Sequence, residues 1–107
     1  MKAVTVAQEA AAPAPQDLDE PRTPGAGEVL VRVQASSVNP LDGAVAVGML
    51  AQMGLPYEYP VTLGRDFAGT VEQVGDGVTA VQAGDEVFGE VSAFNPPVHD
   101  GAWAERI

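Results

Sequence analysis

The 107-residue chain contains no cysteine, and this absence removes several kinds of chemistry at once. Without thiols there can be no disulfide framework, no cysteine nucleophile and no thiolate ligand for zinc. Histidine is almost as scarce, because His99 is the only one and lies in a proline-rich stretch. A catalytic zinc site needs about three Cys, His or carboxylate ligands, so we expect this chain to hold no metal.

Basic residues are also few. Five Lys and Arg stand against fifteen Asp and Glu, which gives a formal net charge of -10. Such a charge repels phosphate backbones and anionic lipid surfaces, so we expect neither nucleic acid nor membrane as a partner. No apolar run approaches the roughly 20 residues of a membrane helix, and the amino terminus lacks the apolar stretch of a secretory signal. We therefore expect a cytoplasmic protein.

The clearest structural signals lie between Val61 and Val91. The stretch Phe67 to Val74 alternates between two faces as a strand does, and Gly75-Asp76-Gly77 then offers residues that tolerate a tight reversal. A second strand is predicted over Glu86 to Val91. Two strands joined this closely predict a single, mainly β domain with antiparallel pairing.

The same turn also fits the G-x-G-x-x-A pattern of dinucleotide-binding loops over Gly75 to Ala80. That fingerprint requires a helix opening at its third position, whereas Gly84-Asp85 interrupts the chain a few residues later. We therefore interpret the pattern as a hairpin turn, which leaves the chain without a site for nucleotide phosphates.

Further strands are predicted on either side of this region. Lys2 to Ala7 forms the first, and Glu28 to Ala35 the clearest, with its valines and Ala35 facing the core. A last strand is expected over Gly101 to Ile107. The proline-rich segments Glu9 to Pro24 and Ser92 to Asp100 are predicted to be loops, the first of them exposed and without ladder hydrogen bonds.

One helix is predicted after the second strand. Asn39-Pro40-Leu41-Asp42 has the features of a helix start, with Asn39 as N-cap, Pro40 at the first position and Asp42 in the first turn. Apolar residues then recur every four positions, and Gly54 is placed to end the helix. The residues on this apolar face, all expected in the core, are Leu41, Val45, Met49 and Met53.

The order of these segments resembles a known family. GRDFAG (Gly64 to Gly69), VEQVGDGV, AVQAGDEVFG, the earlier GEVLVRVQASSVNPLD and the closing GAWAERI are similar to the first domain of the medium-chain dehydrogenase/reductases, and most to their zinc-independent, quinone oxidoreductase-like branch. The resemblance implies a GroES-like, partly open β-barrel with one or two short helices over residues 1–107. It also implies a Rossmann cofactor domain beyond Ile107, which this chain does not include.

The resemblance further implies a function for the parent protein. It would be an NADPH-dependent oxidoreductase, a homodimer that reduces quinones, enones or related activated carbonyl compounds by hydride transfer, and this domain alone would be inactive. A polyketide-type enoyl reductase is an alternative within the same class. A non-catalytic GroES-like co-chaperonin or interaction module is an alternative from another class, because a fold does not fix a function.

The site residues also follow from the resemblance. VNPLD matches a VNPxD stretch beside the nicotinamide, which implies that Asn39 is catalytic and that Asn39 and Asp42 bind the cofactor. The alternative is a plain helix cap with a first-turn acid. Tyr57 and Tyr59 are candidate walls of the substrate pocket, or simply loop-packing residues.

Two further positions are compared with the zinc enzymes of the superfamily. Asn39 stands where their first Cys ligand would be, and Arg65 stands where their His would be in a Gly-His-Glu triplet. A guanidinium at that place would repel a divalent cation. Arg65 and its neighbour Asp66 are predicted to point to opposite faces and to form structural ion pairs, Arg65 with Asp42 or with groups around Asp66.

Overall fold

The computed structural model describes residues 1–92 and 98–107, and within them two short helices accompany two antiparallel, three-stranded sheets. The elements are β1 (Lys2–Val6), β2 (Ala14–Asp17), β3 (Val29–Ser36), α1 (Pro40–Ala46), α2 (Met49–Gln52), β4 (Val61–Thr62), β5 (Asp66–Val74) and β6 (Glu86–Glu90). One sheet has the order β2-β1-β4 and the other the order β3-β5-β6. Most of the loop predicted over Ser92 to Asp100 lies outside the described residues.

The carboxyl-terminal segment, residues 101–107, connects the two sheets. It is irregular, where a regular strand was predicted, and it forms isolated bridges to both β1 and β3. Trp103 O accepts a hydrogen bond from the Val4 N–H at 2.8 Å, and Ile107 O accepts one from the Val31 N–H at 2.7 Å. Residues 101–107, which we name the strap, close one side of the structure. The predicted partly open β-barrel with short helices is thereby confirmed.

The strand predictions around the glycine turn are confirmed. β5 pairs with β6 in antiparallel register, and Gly69 and Val71 of β5 face the interior. The Gly75 N–H donates to Glu28 O at 2.8 Å, which fixes the turn against the start of β3. Residues 75–85 form turns and irregular backbone with no helix, so the G-x-G-x-x-A pattern belongs to a reversal between antiparallel strands.

The alternation predicted for β3 is wrong. Leu30 and Val31 are both buried, whereas Ala35 is exposed. The register against β5 shifts between Leu30 and Val31 and again between Val33 and Ala35. The residue without a partner is Glu72 of β5 at the first shift and Gln34 of β3 at the second. Only the second shift inserts a residue into β3, and it reverses the faces of the β3 side chains that follow, so Ala35 no longer shares the buried face of Val31.

The exposed, unpaired loop predicted over Glu9 to Pro24 is also wrong in part. Residues Ala14–Asp17 form β2, in which Pro15 lies opposite Val4 of β1. β2 is an edge strand, and a proline is tolerated there because the missing N–H can face the open side of the sheet. The Thr5 hydroxyl also donates to the Gln16 side chain at 2.7 Å.

The single predicted helix is divided in two, and its predicted core face is wrong in its second half. Gly48 adopts a φ of 78°, which ends α1 and starts α2 in a new direction. Met49 and Met53 are consequently 50% and 67% exposed, while Leu50 takes the buried position. Glycine is the residue that adopts this left-handed conformation without steric cost, so Gly48 explains why the helix breaks here.

The core lies beneath α1 and α2. A fully buried aliphatic side chain contributes about 1.5–3 kcal/mol, so this cluster anchors both helices to the first sheet. Neither helix, nor any other within the described ranges, has the length and hydropathy of a membrane span. The buried members of the cluster are Val6, Val45, Leu50, Val61, Leu63 and Val98.

Candidate functional site

The amino-terminal end of α1 organises the site. Asn39 is the N-cap, in extended backbone conformation, and Pro40 follows at the first helical position. Asp42 Oδ2 accepts the Asn39 main-chain N–H at 2.6 Å, which is one half of a capping box. The reciprocal contact to the Asn39 side chain is looser, because the Asp42 N–H donates to the Asn39 main-chain oxygen at 3.0 Å. The predicted helix start is therefore confirmed.

Three polar side chains meet at the surface beside this cap, and we name Ser37, Asn39 and Asp66 the rim cluster. Asn39 Nδ2 lies 2.7 Å from Asp66 Oδ2 and 3.0 Å from Ser37 Oγ. The Ser37 hydroxyl donates to the same Asp66 oxygen at 2.9 Å. Asn39 and Asp66 are half-buried, so the cluster is anchored in the fold and still reaches solvent.

A second pair of polar residues lies inside the barrel, and we name Asp42 and Arg65 the buried pair. Each is only 2% exposed. Arg65 Nη2 donates to Thr62 O at 2.8 Å and to Asp100 O at 2.7 Å. Burial lowers the pKa of Arg65, while the nearby Asp42 carboxylate acts in the opposite direction.

The predicted ion pairs of Arg65 and Asp66 do not form. Among the described residues no carboxylate lies within 4.0 Å of the Arg65 nitrogens, because Nη2 is committed to two main-chain oxygens. Asp66 instead binds the neutral groups of the rim cluster. Inside the barrel, Asp42 Oδ1 and Arg65 Nε remain buried without a partner in the described part of the chain.

A glycine makes room for the buried guanidinium. A Cβ on Gly101 would lie 2.1 Å from Thr62 O and 2.6 Å from Arg65 Nη2, closer than any real contact. Residue 101 must therefore lack a side chain if Arg65 is to donate to Thr62 O of β4 and to Asp100 O together. Arg65, Thr62 and Gly101 form one packing unit.

The two predicted pocket tyrosines lie behind α1. The Tyr57 hydroxyl donates to Val45 O at 3.0 Å, and its ring lies 5.8 Å from that of Tyr59. Both pack against the core, and desolvation raises the pKa of each phenol. In the described residues no hydrogen bond joins them to the rim cluster, and their role as a substrate wall stays a prediction.

His99 contacts the main chain of a separate loop and the side chain of its neighbour. Its Nδ1 lies 2.8 Å from Glu58 O, and its Nε2 lies 3.8 Å from an Asp100 oxygen. Over residues 1–92 and 98–107, His, Asp and Glu side chains nowhere gather in a group of three that could ligate a metal.

Two residues that support the site, Ser37 and Trp103, were not predicted from the sequence. The Trp103 indole N–H donates to Ser37 O at 3.0 Å. Gly64, at φ 90°, leaves space for that indole, since a Cβ there would lie 2.3 Å from Trp103 Cδ1. A glycine just before a predicted strand is a signal of close approach, but it does not reveal which residue approaches.

A cavity of about 980 Å³ opens elsewhere on the barrel. It is bordered by the amino-terminal segment, β3 and the strap, and it includes apolar side chains such as Leu18, Leu30 and Phe67. None of the predicted site residues lines it. Size alone therefore does not identify the site, which we assign to the rim cluster because its polar groups converge there.

Comparison with known sequences places these features in context. A family profile described as the alcohol dehydrogenase GroES-like domain matches residues 25–105. The quinone oxidoreductase of Rattus norvegicus is 42% identical over 66 residues, covering 61% of this chain and 19% of the rat protein. The enoyl reductase component of the lovastatin nonaketide synthase of Aspergillus terreus is 39% identical over 79 residues, covering 73% of this chain and 20% of that protein.

Solved structures share the fold. Escherichia coli quinone oxidoreductase complexed with NADPH superposes with a TM-score of 0.80 at 25% identity, covering 100% of this chain and 30% of that one. A cobalt- and zinc-bound alcohol dehydrogenase from Pyrobaculum aerophilum gives 0.70 at 38% identity, covering 82% of this chain and 25% of that one. The chain thus spans about a fifth of the length of its two curated relatives and less than a third of these structures.

Proposed function

We propose that this chain, which belongs to the alcohol dehydrogenase GroES-like domain family, is the substrate-side domain of a zinc-independent, NADPH-dependent oxidoreductase. Its substrates would be quinones, enones or related activated carbonyl compounds. The proposal rests on a half-buried amide, Asn39, held at a helix start in a segment that resembles the nicotinamide-facing stretch of quinone oxidoreductases.

The zinc-free part of the proposal is supported by Arg65. Its cationic side chain is buried where a zinc-binding relative would need a neutral imidazole, and the chain has no thiolate to offset the charge. The donor set at this place does not fit zinc. We expect added zinc and strong chelators to leave the Tm of the domain unchanged, and a zinc-dependent rise of several degrees would refute the assignment.

The nicotinamide supplies the hydride when it is bound, and this chain would supply orientation. Asn39 offers a polar group beside the ring, and Asp42 holds the Asn39 main chain through its Oδ2. The glycine turn at residues 75–77 lies between antiparallel strands, so it offers no helix amino terminus to the pyrophosphate. We therefore expect the isolated chain to bind NADPH no tighter than the millimolar range, by calorimetry, and to reduce no quinone.

Kinetics of a protein that carries this domain together with a cofactor domain test the whole proposal. We expect kcat/KM for quinone reduction to be higher with NADPH than with NADH, and to be unaffected by chelators. Inactivity with every quinone and enone under both cofactors would refute the proposed oxidoreductase.

The enoyl reductase alternative is favoured by one observation, the likeness to the enoyl reductase component of the lovastatin nonaketide synthase. A comparison of kcat/KM for an enoyl thioester and for a quinone decides between the two. A preference of tenfold or more for the thioester, about 1.4 kcal/mol, would favour the enoyl reductase.

The non-catalytic alternatives have less support. A co-chaperonin needs a mobile loop with an apolar anchor, whereas part of the best candidate segment, Ala14–Asp17, is paired with β1. We also propose that the parent is a cytoplasmic homodimer. Size measurement of the full-length protein and its location in fractionated cells test these two points.

A further inference from the structure

We infer that Asp66 and Ser37 are positioning residues that fix the Asn39 amide with its oxygen toward the ligand, so that the site selects a group that donates a hydrogen bond. The ligand group would be the primary carboxamide of the nicotinamide rather than the carbonyl oxygen of the substrate. The identity of that ligand rests on the proposed function, whereas the orientation of the amide does not.

The orientation follows from the chemistry of the partners. A carboxylate only accepts hydrogen bonds, so the group that lies 2.7 Å from Asp66 Oδ2 must be the amide nitrogen of Asn39. A flipped amide would bring two oxygens together at that distance. The Ser37 hydroxyl gives its hydrogen to the same carboxylate and thereby turns a lone pair toward Nδ2, 3.0 Å away.

Asp66 and Ser37, which we name the clamp because both bind the Asn39 amide nitrogen, lie on rigid elements. Asp66 is the first residue of β5, and its main-chain oxygen accepts the Ser36 hydroxyl at 2.6 Å. Ser37 is fixed from the other side, because its main-chain oxygen accepts the Trp103 indole N–H. The clamp residues are thus tied to β3, β5 and the strap, and the amide cannot turn over without losing a charge-assisted hydrogen bond.

The atom that remains for a ligand is Asn39 Oδ1. In the part of the chain that the structure describes, its one hydrogen-bonding contact is the loose one to the Asp42 N–H, and an amide oxygen has two lone pairs. An acceptor in this position can bind an N–H or O–H group, and it repels the oxygen of a ketone or quinone. A primary carboxamide on the cofactor has the N–H that the site requires.

Amide hydrogen exchange on the chain itself tests the clamp. In the wild-type domain we expect the Asn39 side-chain NH₂ signals to be dispersed and to exchange with solvent about tenfold more slowly than those of an exposed asparagine. The variant Asp66→Asn keeps the size of the side chain but can donate, so it permits the flipped amide and should lose this protection. The matched variant Ser37→Ala leaves the carboxylate in place and should keep most of it. Unchanged protection in Asp66→Asn would overturn the clamp.

A pair of small probes tests the ligand. Reduced nicotinamide mononucleotide carries the carboxamide, and its 3-acetylpyridine counterpart has a methyl ketone without a donor. We expect the carboxamide to shift the Asn39 signals and to bind about tenfold more tightly than the ketone, and Asp66→Asn to reduce that ratio to about twofold. Equal binding of the two probes, or no response at Asn39 to the carboxamide, would overturn the ligand assignment.

Failure of the clamp or of the ligand assignment can be distinguished from failure of the proposed function. If the full-length protein reduces quinones with NADPH but the probes do not discriminate, the function stands and the inference falls. If the full-length protein is inactive while the Asn39 amide is protected and prefers the carboxamide, the clamp stands and the oxidoreductase proposal falls.

Discussion

The rim cluster and the buried pair lie at the same end of α1, yet they satisfy their polar groups very differently. In the rim cluster the amide nitrogen, the hydroxyl and the carboxylate all have partners at 2.7–3.0 Å. In the buried pair two opposite charges are almost completely removed from water, and one atom of each has no partner among the described residues. The better-satisfied set is the one that reaches solvent.

This difference indicates a division of roles. A buried charge costs several kcal/mol of desolvation, and its loss or neutralisation affects stability first. A half-exposed polar cluster on a rigid support contributes less to stability and is free to bind a ligand. Asp42, a member of the buried pair, links the two regions, since its Oδ2 accepts the main-chain N–H of Asn39 while its Oδ1 is buried without a partner among the described residues.

The largest expected effect comes from breaking the buried pair. Arg65→Met should lower the free energy of unfolding by about 3–5 kcal/mol, because it removes two hydrogen bonds and leaves the Asp42 carboxylate buried without a counter-charge. Denaturant unfolding of the domain measures the loss. Arg65→Lys keeps the charge but not the planar guanidinium, so its free energy of unfolding should lie between those of the wild type and Arg65→Met.

The double variant Asp42→Asn with Arg65→Met completes the test. If the two charges interact, neutralising both should cost less than the sum of the single variants by at least about 0.5 kcal/mol. Strict additivity would show that Arg65 stabilises the fold only through Thr62 and Asp100, and the comparison of the two regions would lose its electrostatic part.

The rim cluster predicts a kinetic effect. In a full-length protein, Asn39→Ala should raise KM for NADPH about tenfold, which corresponds to about 1.4 kcal/mol, and lower kcat less. Asn39→Ser is the control, because Ser caps a helix nearly as well but is too short to reach the same ligand atom. A selective loss of kcat at unchanged KM would instead assign Asn39 to the reacting oxygen, as a catalytic residue.

An exposed ion pair provides a smaller effect against which the buried pair can be compared. Arg22 Nη1 lies 2.7 Å from Glu28 Oε2, and this hydrogen bond lowers the pKa of the Glu28 carboxyl to about 2. The stabilisation should be complete above the ordinary carboxyl pKa and should disappear as the pH falls toward 2. Glu28→Gln should therefore shift Tm slightly at neutral pH and not at all near pH 2. An equal shift at both pH values would contradict this assignment.

The smallest effect is expected at Met53. This side chain is 67% exposed on α2, so Met53→Gln should change the free energy of unfolding by less than about 0.5 kcal/mol. Leu50→Ala, one turn away in the core, should cost about 2–5 kcal/mol under the same conditions. A large loss for Met53→Gln would restore the core face that the sequence pattern predicted.

Local patterns predicted most of the fold. The alternation of β5 as far as Val71, the glycine turn after β5 and the Asn39 to Asp42 helix start are encoded within a few residues, and all three are observed. The alternation of β5 ends at Glu72, where the register against β3 shifts. The predictions failed where the structure of a segment depends on a strand that is distant in the sequence. The two register shifts arise from the pairing of β3 with β5, and β2 forms because β1 accepts a proline-containing edge strand.

The candidate site was predictable to the same extent. Asn39 and Asp42 were identified from a short motif, and their cap is observed. Asp66 and Trp103 approach them from distant parts of the chain, whereas Ser37 lies two residues before Asn39. Nothing in the sequence specifies which atoms of these residues meet. A single sequence therefore locates the helix start but not the clamp on its first side chain.

The strap has a consequence for the making of the protein. Residues 101–107 hydrogen-bond to Lys2 and Val4 in one sheet and to Val31 and Val33 in the other. On the ribosome, the β3-β5-β6 sheet can form as soon as its strands emerge, whereas β1 must wait for nearly a hundred more residues before it meets this last partner. Barrel closure is therefore a late step of synthesis, because it requires contacts between residues far apart in the sequence, and until then the apolar inner face stays uncovered on this side.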